Sequence, residues 1–301
     1  MTLTTNSSHG FLEQLMKNEI SPNVAFESRL QYAIHDGVSL VGDFYRPAII
    51  SKVPVVIAVH GGAWKVGSTA DFQHWGSWLA SRGIAVYAIT YRLVHGEKNR
   101  HPAAVLDVRA AVQFARANAD QLGVDPMRIG LMGASAGAHL SAFVALAGER
   151  PEFKLAYPND PHKETSTAVK GVVAAYGIYD MLAQWNHDQI ARPYDQITEA
   201  LLGAPPTEDK FRYFESSPLA YTTRDRSMVS FLLTWGTEDD VVDWKTQSLP
   251  FLTALKQAGY FVRIVSVEGA PHFWMYDPID EPHSYAGFLA PKVLRFLSER
   301  L

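Results

Sequence analysis

Three groups of complementary chemistry follow three apolar runs of the sequence: Ser135 inside Gly133-Ala134-Ser135-Ala136-Gly137, the acidic cluster Glu238-Asp239-Asp240, and His272. A serine hydroxyl is a poor nucleophile at neutral pH, so it needs an imidazole as base. The imidazole in turn needs a carboxylate to set its tautomer and stabilise its positive charge. A fourth stretch, His60-Gly61-Gly62-Ala63-Trp64, can bring unhindered backbone N-H groups close to a carbonyl oxygen. Together with the Ala136 N-H, Gly61 and Gly62 would form an oxyanion hole, in which loss of one donor typically costs about 3 kcal/mol. The combination describes acyl transfer through a serine.

These groups act together only if the fold gathers them. Ile129 to Met132 is a short apolar run that breaks at Gly133 and passes through Gly137 into an Ala- and Leu-rich segment with helical spacing. A strand, a sharp turn and a helix are expected, with glycine-sized neighbours letting strand and helix approach and the serine hydroxyl pushed out at the turn. Val53 to Val59, Ile84 to Thr90, Val169 to Tyr176, Met228 to Thr234 and Phe261 to Val267 are similar Val/Ile-rich runs, as for strands buried on both faces of a parallel sheet. His60, Ser135, the acidic cluster and His272 each follow such a strand, and groups that act together in open sheets sit in these loops.

Helices are expected around Asp71 to Arg82, after Pro102, over Thr246 to Ala258 and over Ala286 to Leu301. The second has Ala104, Val108, Ala111, Val112 and Ala115 on one face and Arg109, Gln113, Arg116 and Asp120 on another, so Asp107 and Arg109 read as a solvated face. At the N-terminus, Phe11 to Ile20 has helical spacing, within an arm over about residues 1-25. Arg29 to Ile34 and Ser39 to Tyr45 alternate around His35-Asp36-Gly37, a hairpin signal. From Gly177 to Ser227 the alternation stops, and aromatic residues and prolines accumulate. The expectation is one α/β domain over residues 1-301: a mainly parallel, doubly wound sheet with an antiparallel N-terminal hairpin. The segment at about 177-227 would be a helical or irregular insertion over the site, a candidate cap.

Composition excludes other chemistries. The 301 residues are 47% hydrophobic with a net charge of -4, which leaves no basic surplus for nucleic acid. With no cysteine, thiolate metal sites and a cysteine nucleophile are excluded. No H-E-x-x-H, Walker or G-x-G-x-x-G pattern is present, so no metal and no cofactor are expected. Met1 to Gly10 lacks a basic start and an apolar core, and no run reaches membrane-span length, so a soluble cytoplasmic protein is the default expectation. Oligomeric state is not readable.

The stretches His60-Gly61-Gly62-Ala63-Trp64, Gly133-Ala134-Ser135-Ala136-Gly137-Ala138-His139-Leu140 and Gly236-x-x-Asp239-x-x-Val242, with Gln247-Ser248 after it, resemble the α/β-hydrolase carboxylesterases related to the hormone-sensitive lipase group. The likeness is to the branch with feruloyl/acetyl-xylan-type esterases and arylformamidases. It runs from about Val53 to the C-terminus, leaving Gly177 to Ser227 unmatched. It implies the α/β-hydrolase fold, Ser135 as nucleophile, Asp239 as acid, His272 as base, and Gly61, Gly62 and Ala136 as oxyanion donors. It also implies a small-molecule ester substrate, with small to medium acyl or aryl groups favoured by the aromatic insertion. Amide or formamide hydrolysis of the arylformamidase type is the alternative, and a non-catalytic ligand-binding homologue ranks below both. Trp235 and Ala134 depart from the residues common among relatives. Trp64, Trp185, Phe214 and Trp274 are expected to line the substrate pocket, His139 and His60 to serve the fold, and His283 to lie at the surface.

Overall fold

The structure is a computed structural model that describes residues 23-49 and 52-301. The helical pattern at Phe11 to Ile20 lies outside the described residues. The expected hairpin is formed by β1 (Val24–His35) and β2 (Val38–Pro47), paired antiparallel. Asp36 and Gly37 take φ of 50° and 76°, the left-handed pair that a two-residue turn needs to match the twist of its strands.

Six further strands follow: β3 (Val53–Val59), β4 (Ala85–Ile89), β5 (Val124–Ala134), β6 (Gly171–Ala175), β7 (Ser230–Gly236) and β8 (Val262–Val267). The sheet order is β1-β2-β4-β3-β5-β6-β7-β8, with β2 antiparallel to β4 and all pairs from β4 to β8 parallel. From β3 the chain winds outward to β4, then crosses to β5 and winds the other way to β8. The switch lies between β3 and β5, the place where loops at the carboxyl ends part and leave a crevice. Val59 pairs with Gly133 there, so the glycine loop and the serine turn emerge side by side.

Strand alternation divides the core in two. Val55, Ile57, Val59, Leu131 and Val172 face one layer with α2 (Ala103–Ala117), α3 (Ala136–Ala147) and α7 (Ser248–Gln257). Val56, Ala58, Val86, Met132 and Val173 face the other, with α1 (Gln73–Ala80) and α8 (Tyr285–Arg300). Between β6 and β7 the segment expected to be helical or irregular is both, with three short helices joined by loops: α4 (Met181–Ala191), α5 (Ile197–Leu202) and α6 (Lys210–Glu215). Asp180 caps α4 by accepting the Ala183 N-H, and Asp209 caps α6 by accepting that of Arg212. No helix among the described residues is long and apolar enough to cross a membrane.

One expectation about α2 is corrected. Asp107 is fully buried and Arg109 nearly so, because residues from other segments cover and pair this face. Arg92 donates to the Asp107 carboxylate from Nε and Nη2 at 2.9 and 2.7 Å, and His35 Nδ1 lies 2.7 Å from the same carboxylate. Arg109 donates to the Gly148 and Phe153 carbonyls at 2.6 and 2.8 Å. Buried charges persist only when paired in this way. The hairpin tip is thereby tied to α2 and to Arg92.

Candidate active site

Ser135 sits at the β5–α3 junction with φ 54° and ψ -121°, a conformation that L-residues adopt only when the surroundings enforce it. The enforcement comes from close packing. A Cβ on Gly133 would lie 2.2 Å from the Gly137 carbonyl oxygen, and one on Gly137 would lie 1.9 Å from that of Val59. Only glycine at both places lets α3 close over β3 and β5. The Ser135 N-H donates to the Ala175 carbonyl at 2.9 Å, and its own carbonyl accepts the His139 N-H at 3.0 Å. The turn is fixed from both sides.

Asp239 and His272 arrive on loops that leave β7 and β8. A Cβ on Gly236 would lie 2.1 Å from the Ala270 carbonyl oxygen, and the Glu238 N-H donates to that carbonyl at 3.0 Å, so the two loops run in contact. Asp239 Oδ1 accepts the Val241 and Val242 N-H groups at 3.0 and 2.9 Å. Its Oδ2 lies 2.7 Å from His272 Nδ1, and His272 Nε2 lies 3.0 Å from Ser135 Oγ. With Nδ1-H given to the carboxylate, Nε2 is the acceptor of the serine proton. All three side chains are buried. Within the acidic cluster only Asp239 makes this contact, for Asp240 is exposed and uses its carbonyl, 3.0 Å from His187 Nε2. A hydroxyl so arranged can lose its proton as it attacks an acyl carbon.

The glycine loop lies against the serine, since a Cβ on Gly61 would be 3.2 Å from Ser135 Cβ. Gly62, Ala63 and Trp64 take φ of 94°, 53° and 59° in succession. Among the described residues no protein group accepts the N-H of Gly62, Ala63 or Ala136, the last being at the first position of α3. The expectation for Gly61 is corrected. Its N-H donates to the Tyr276 hydroxyl at 2.7 Å and is not free to serve an oxyanion. His60 steadies the loop as expected: its Nδ1-H donates to the Gly61 carbonyl at 2.8 Å and its ring stacks on Tyr91.

Of the four aromatic residues expected to line the pocket, Trp64 and Trp274 are buried in the packed layers and Phe214 lies in a groove that contains none of the triad. Trp64 is fully buried and gives its indole N-H to His139 Nδ1 at 3.2 Å. Trp274 is buried against Tyr176. Trp185 is half-buried and donates to Glu199 at 2.6 Å. Phe214 is exposed in a separate groove of about 510 Å³ with Leu146, Arg150, Phe211 and Tyr221. The rings that touch the His272 imidazole are Tyr176 and Phe273, with centroids at 4.5 and 4.4 Å. His283 is exposed, as expected. No group of three or more His, Asp or Glu side chains suited to a metal is assembled among the described residues.

Two histidines near the site are kept neutral. Burial pushes His139 down to about 4, despite its Nε2-H donating to the Ser216 carbonyl at 2.9 Å. Burial likewise pushes His101 down to about 3. Both take up a proton near 6.5 once unfolded, so between that pH and about 4 the unfolded chain binds more protons than the folded one. The stability from keeping them neutral is full above 6.5 and is lost as the pH falls through this window. Urea unfolding midpoints measured from pH 7.5 to 4.5 should fall steadily below 6.5, and a flat profile would contradict the assignment.

Comparison with known proteins gives a consistent set of likenesses. The chain is 32% identical over 226 residues to esterase LipC of Mycobacterium tuberculosis, covering 73% of this chain and 52% of that protein. It is 30% identical over 237 residues to the probable carboxylic ester hydrolase LipM of the same organism, covering 74% and 52%. The chain thus spans about half the length of the curated relatives it matches. Among solved structures, a truncated carbohydrate esterase from gut microbiota superposes with a TM-score of 0.74 at 23% identity, over 93% of this chain and 98% of that one. A propionate-bound esterase from Thermogutta terrifontis gives 0.73 at 24% identity, over 92% and 94%. These likenesses and the strand order make the fold that of the α/β-hydrolases. A profile of the BD-FAE family matches residues 43–255, through the glycine loop, the serine turn and the acid loop, and the chain belongs to that family.

Proposed function

We propose that the protein is a serine carboxylesterase acting on small to medium acyl or aryl esters. The observation that carries this reading is the unbroken hydrogen-bonded chain from Ser135 through His272 to Asp239, set beside backbone N-H groups that no protein group accepts among the described residues. Ser135 Oγ attacks the ester carbonyl carbon while His272 Nε2 takes its proton, and Asp239 stabilises the resulting imidazolium. The tetrahedral oxygen is held by the N-H groups of Gly62 and Ala136, joined by Ala63. Collapse breaks the bond to the alcohol, which leaves with the proton from His272. Water, deprotonated by His272, then attacks the acyl-serine, and the acid leaves as the proton returns to Ser135.

The named relatives are ester hydrolases, which supports an ester over an amide as substrate. The helical segment between β6 and β7 serves as the cap of a single domain in this reading. In support, Gln184 Nε2 donates to the Val241 carbonyl at 3.0 Å, so α4 bears directly on the acid loop. A covered site favours short chains. Turnover of p-nitrophenyl acetate, butyrate and palmitate, with N-formylkynurenine alongside, tests both points. Acetate and butyrate are expected to be fastest. A preference for palmitate would overturn the chain-length assignment, and faster cleavage of the formamide would overturn the ester assignment.

A further inference from the structure

The His60–Gly61 peptide is held at both ends by tyrosine hydroxyls. Tyr91 donates to the His60 carbonyl at 3.1 Å, and Tyr276 accepts the Gly61 N-H at 2.7 Å. The next peptide is fixed too, because the Gly61 carbonyl takes the His60 Nδ1-H at 2.8 Å and lies 3.2 Å from the Tyr91 hydroxyl. A planar trans peptide points its C=O and N-H in opposite directions. Holding the Gly61 carbonyl on the His60 and Tyr91 side therefore turns the Gly62 N-H to the other side of the loop. Tyr276 reaches this loop from a single helical turn, Trp274–Tyr276, that follows His272. Its ring is seated edge-on against Phe72 at 5.8 Å, so packing fixes the ring independently of the hydroxyl.

We propose that Tyr276 is a positioning residue: by accepting the Gly61 N-H it locks the glycine loop in the orientation that presents the Gly62 N-H to the substrate oxygen, and it ties that loop to the turn carrying the base. The inference rests on the esterase reading above. Without the hydroxyl, the His60–Gly61 peptide is held only from its carbonyl side, by Tyr91, and the loop can tilt about that anchor, which misaims the donor one residue on. An oxyanion donor acts on the transition state and hardly on the ground state, so the loss belongs in kcat.

The experiment compares wild type, Tyr276→Phe, Tyr91→Phe and the double variant on p-nitrophenyl butyrate, with active sites counted by a fluorophosphonate. Wild type that is neither labelled at Ser135 nor active would bring down the esterase reading itself. With active wild type, the variants judge Tyr276 alone. Tyr276→Phe should lower kcat per titrated site by about 10- to 100-fold with KM within about twofold. Its affinity for a trifluoromethyl ketone, which forms a tetrahedral adduct, should fall by the same factor as kcat/KM. A merely structural role would reduce the number of titratable sites or the melting temperature and leave kcat per site at the wild-type value, and that result would overturn the proposal. So would a loss confined to KM. Tyr91→Phe should show the same kcat pattern, and because both hydroxyls hold one peptide the double variant should lose less than the two single losses combined. Fully additive losses would show that the two tyrosines do not act on the same peptide.

Discussion

Ser135→Ala is expected to lower kcat for p-nitrophenyl acetate by about 10⁶-fold and to abolish fluorophosphonate labelling, with the melting curve left at that of wild type. The substitution removes one oxygen and nothing else. Alanine keeps the Cβ that Ser135 already carries at φ 54°, and the Ser135 N-H and carbonyl keep their bonds to Ala175 and His139. The proposed oxyanion donors also remain, so a small residual rate above background should survive. Retention of labelling would show that another side chain is the nucleophile, and a collapsed melting curve would make the activity loss uninformative about chemistry.

The second large effect concerns the acid. Asp239→Asn should lower kcat by about 10⁴-fold, because an amide at Oδ2 no longer requires Nδ1 to be the protonated nitrogen and so permits the tautomer with Nε2-H facing the serine. Asp240→Asn should leave kcat within about twofold, as expected of an exposed side chain away from the reacting groups. Steady-state kinetics of the two variants separate them. Equal losses would mean that the carboxylate paired with His272 is not the one that serves the reaction.

What could be read from the sequence follows from how local each feature is. The serine turn was legible because its glycines sit together in five residues: Gly133 meets the Gly137 carbonyl within the turn, while Gly137 meets that of Val59 on the neighbouring strand. The hairpin was legible for the same reason, since Asp36 and Gly37 carry their own backbone preference. Asp107 and Arg109 were misread because helical periodicity treats charge as solvent-facing. Their partners, Arg92, His35, Gly148 and Phe153, come from 15 to 72 residues away and leave no local trace. The helices between β6 and β7 had readable starts in the capping residues Asp180 and Asp209, which the aromatic and proline content obscured. Residue type suggested Trp64 and Trp274 for the pocket, yet which way a ring faces is decided by the packed layers. Tyr276 gave no signal at all, for its contact with Gly61 spans 215 residues.

Those long spans bear on how the molecule comes together. The Ser135–His272 contact joins residues 137 apart, and between β5 and β8 lie the ladders β5–β6, β6–β7 and β7–β8. No fragment that stops short of β8 can bring the proposed base, His272, to the proposed nucleophile, Ser135. Contacts of such sequence separation form only once the entropy of closing the intervening chain has been met, a cost that local helical contacts do not carry. On the proposed mechanism, reactivity of Ser135 is a readout of the strands from β5 to β8 together, and after dilution from denaturant fluorophosphonate labelling is expected to return no sooner than the secondary-structure signal.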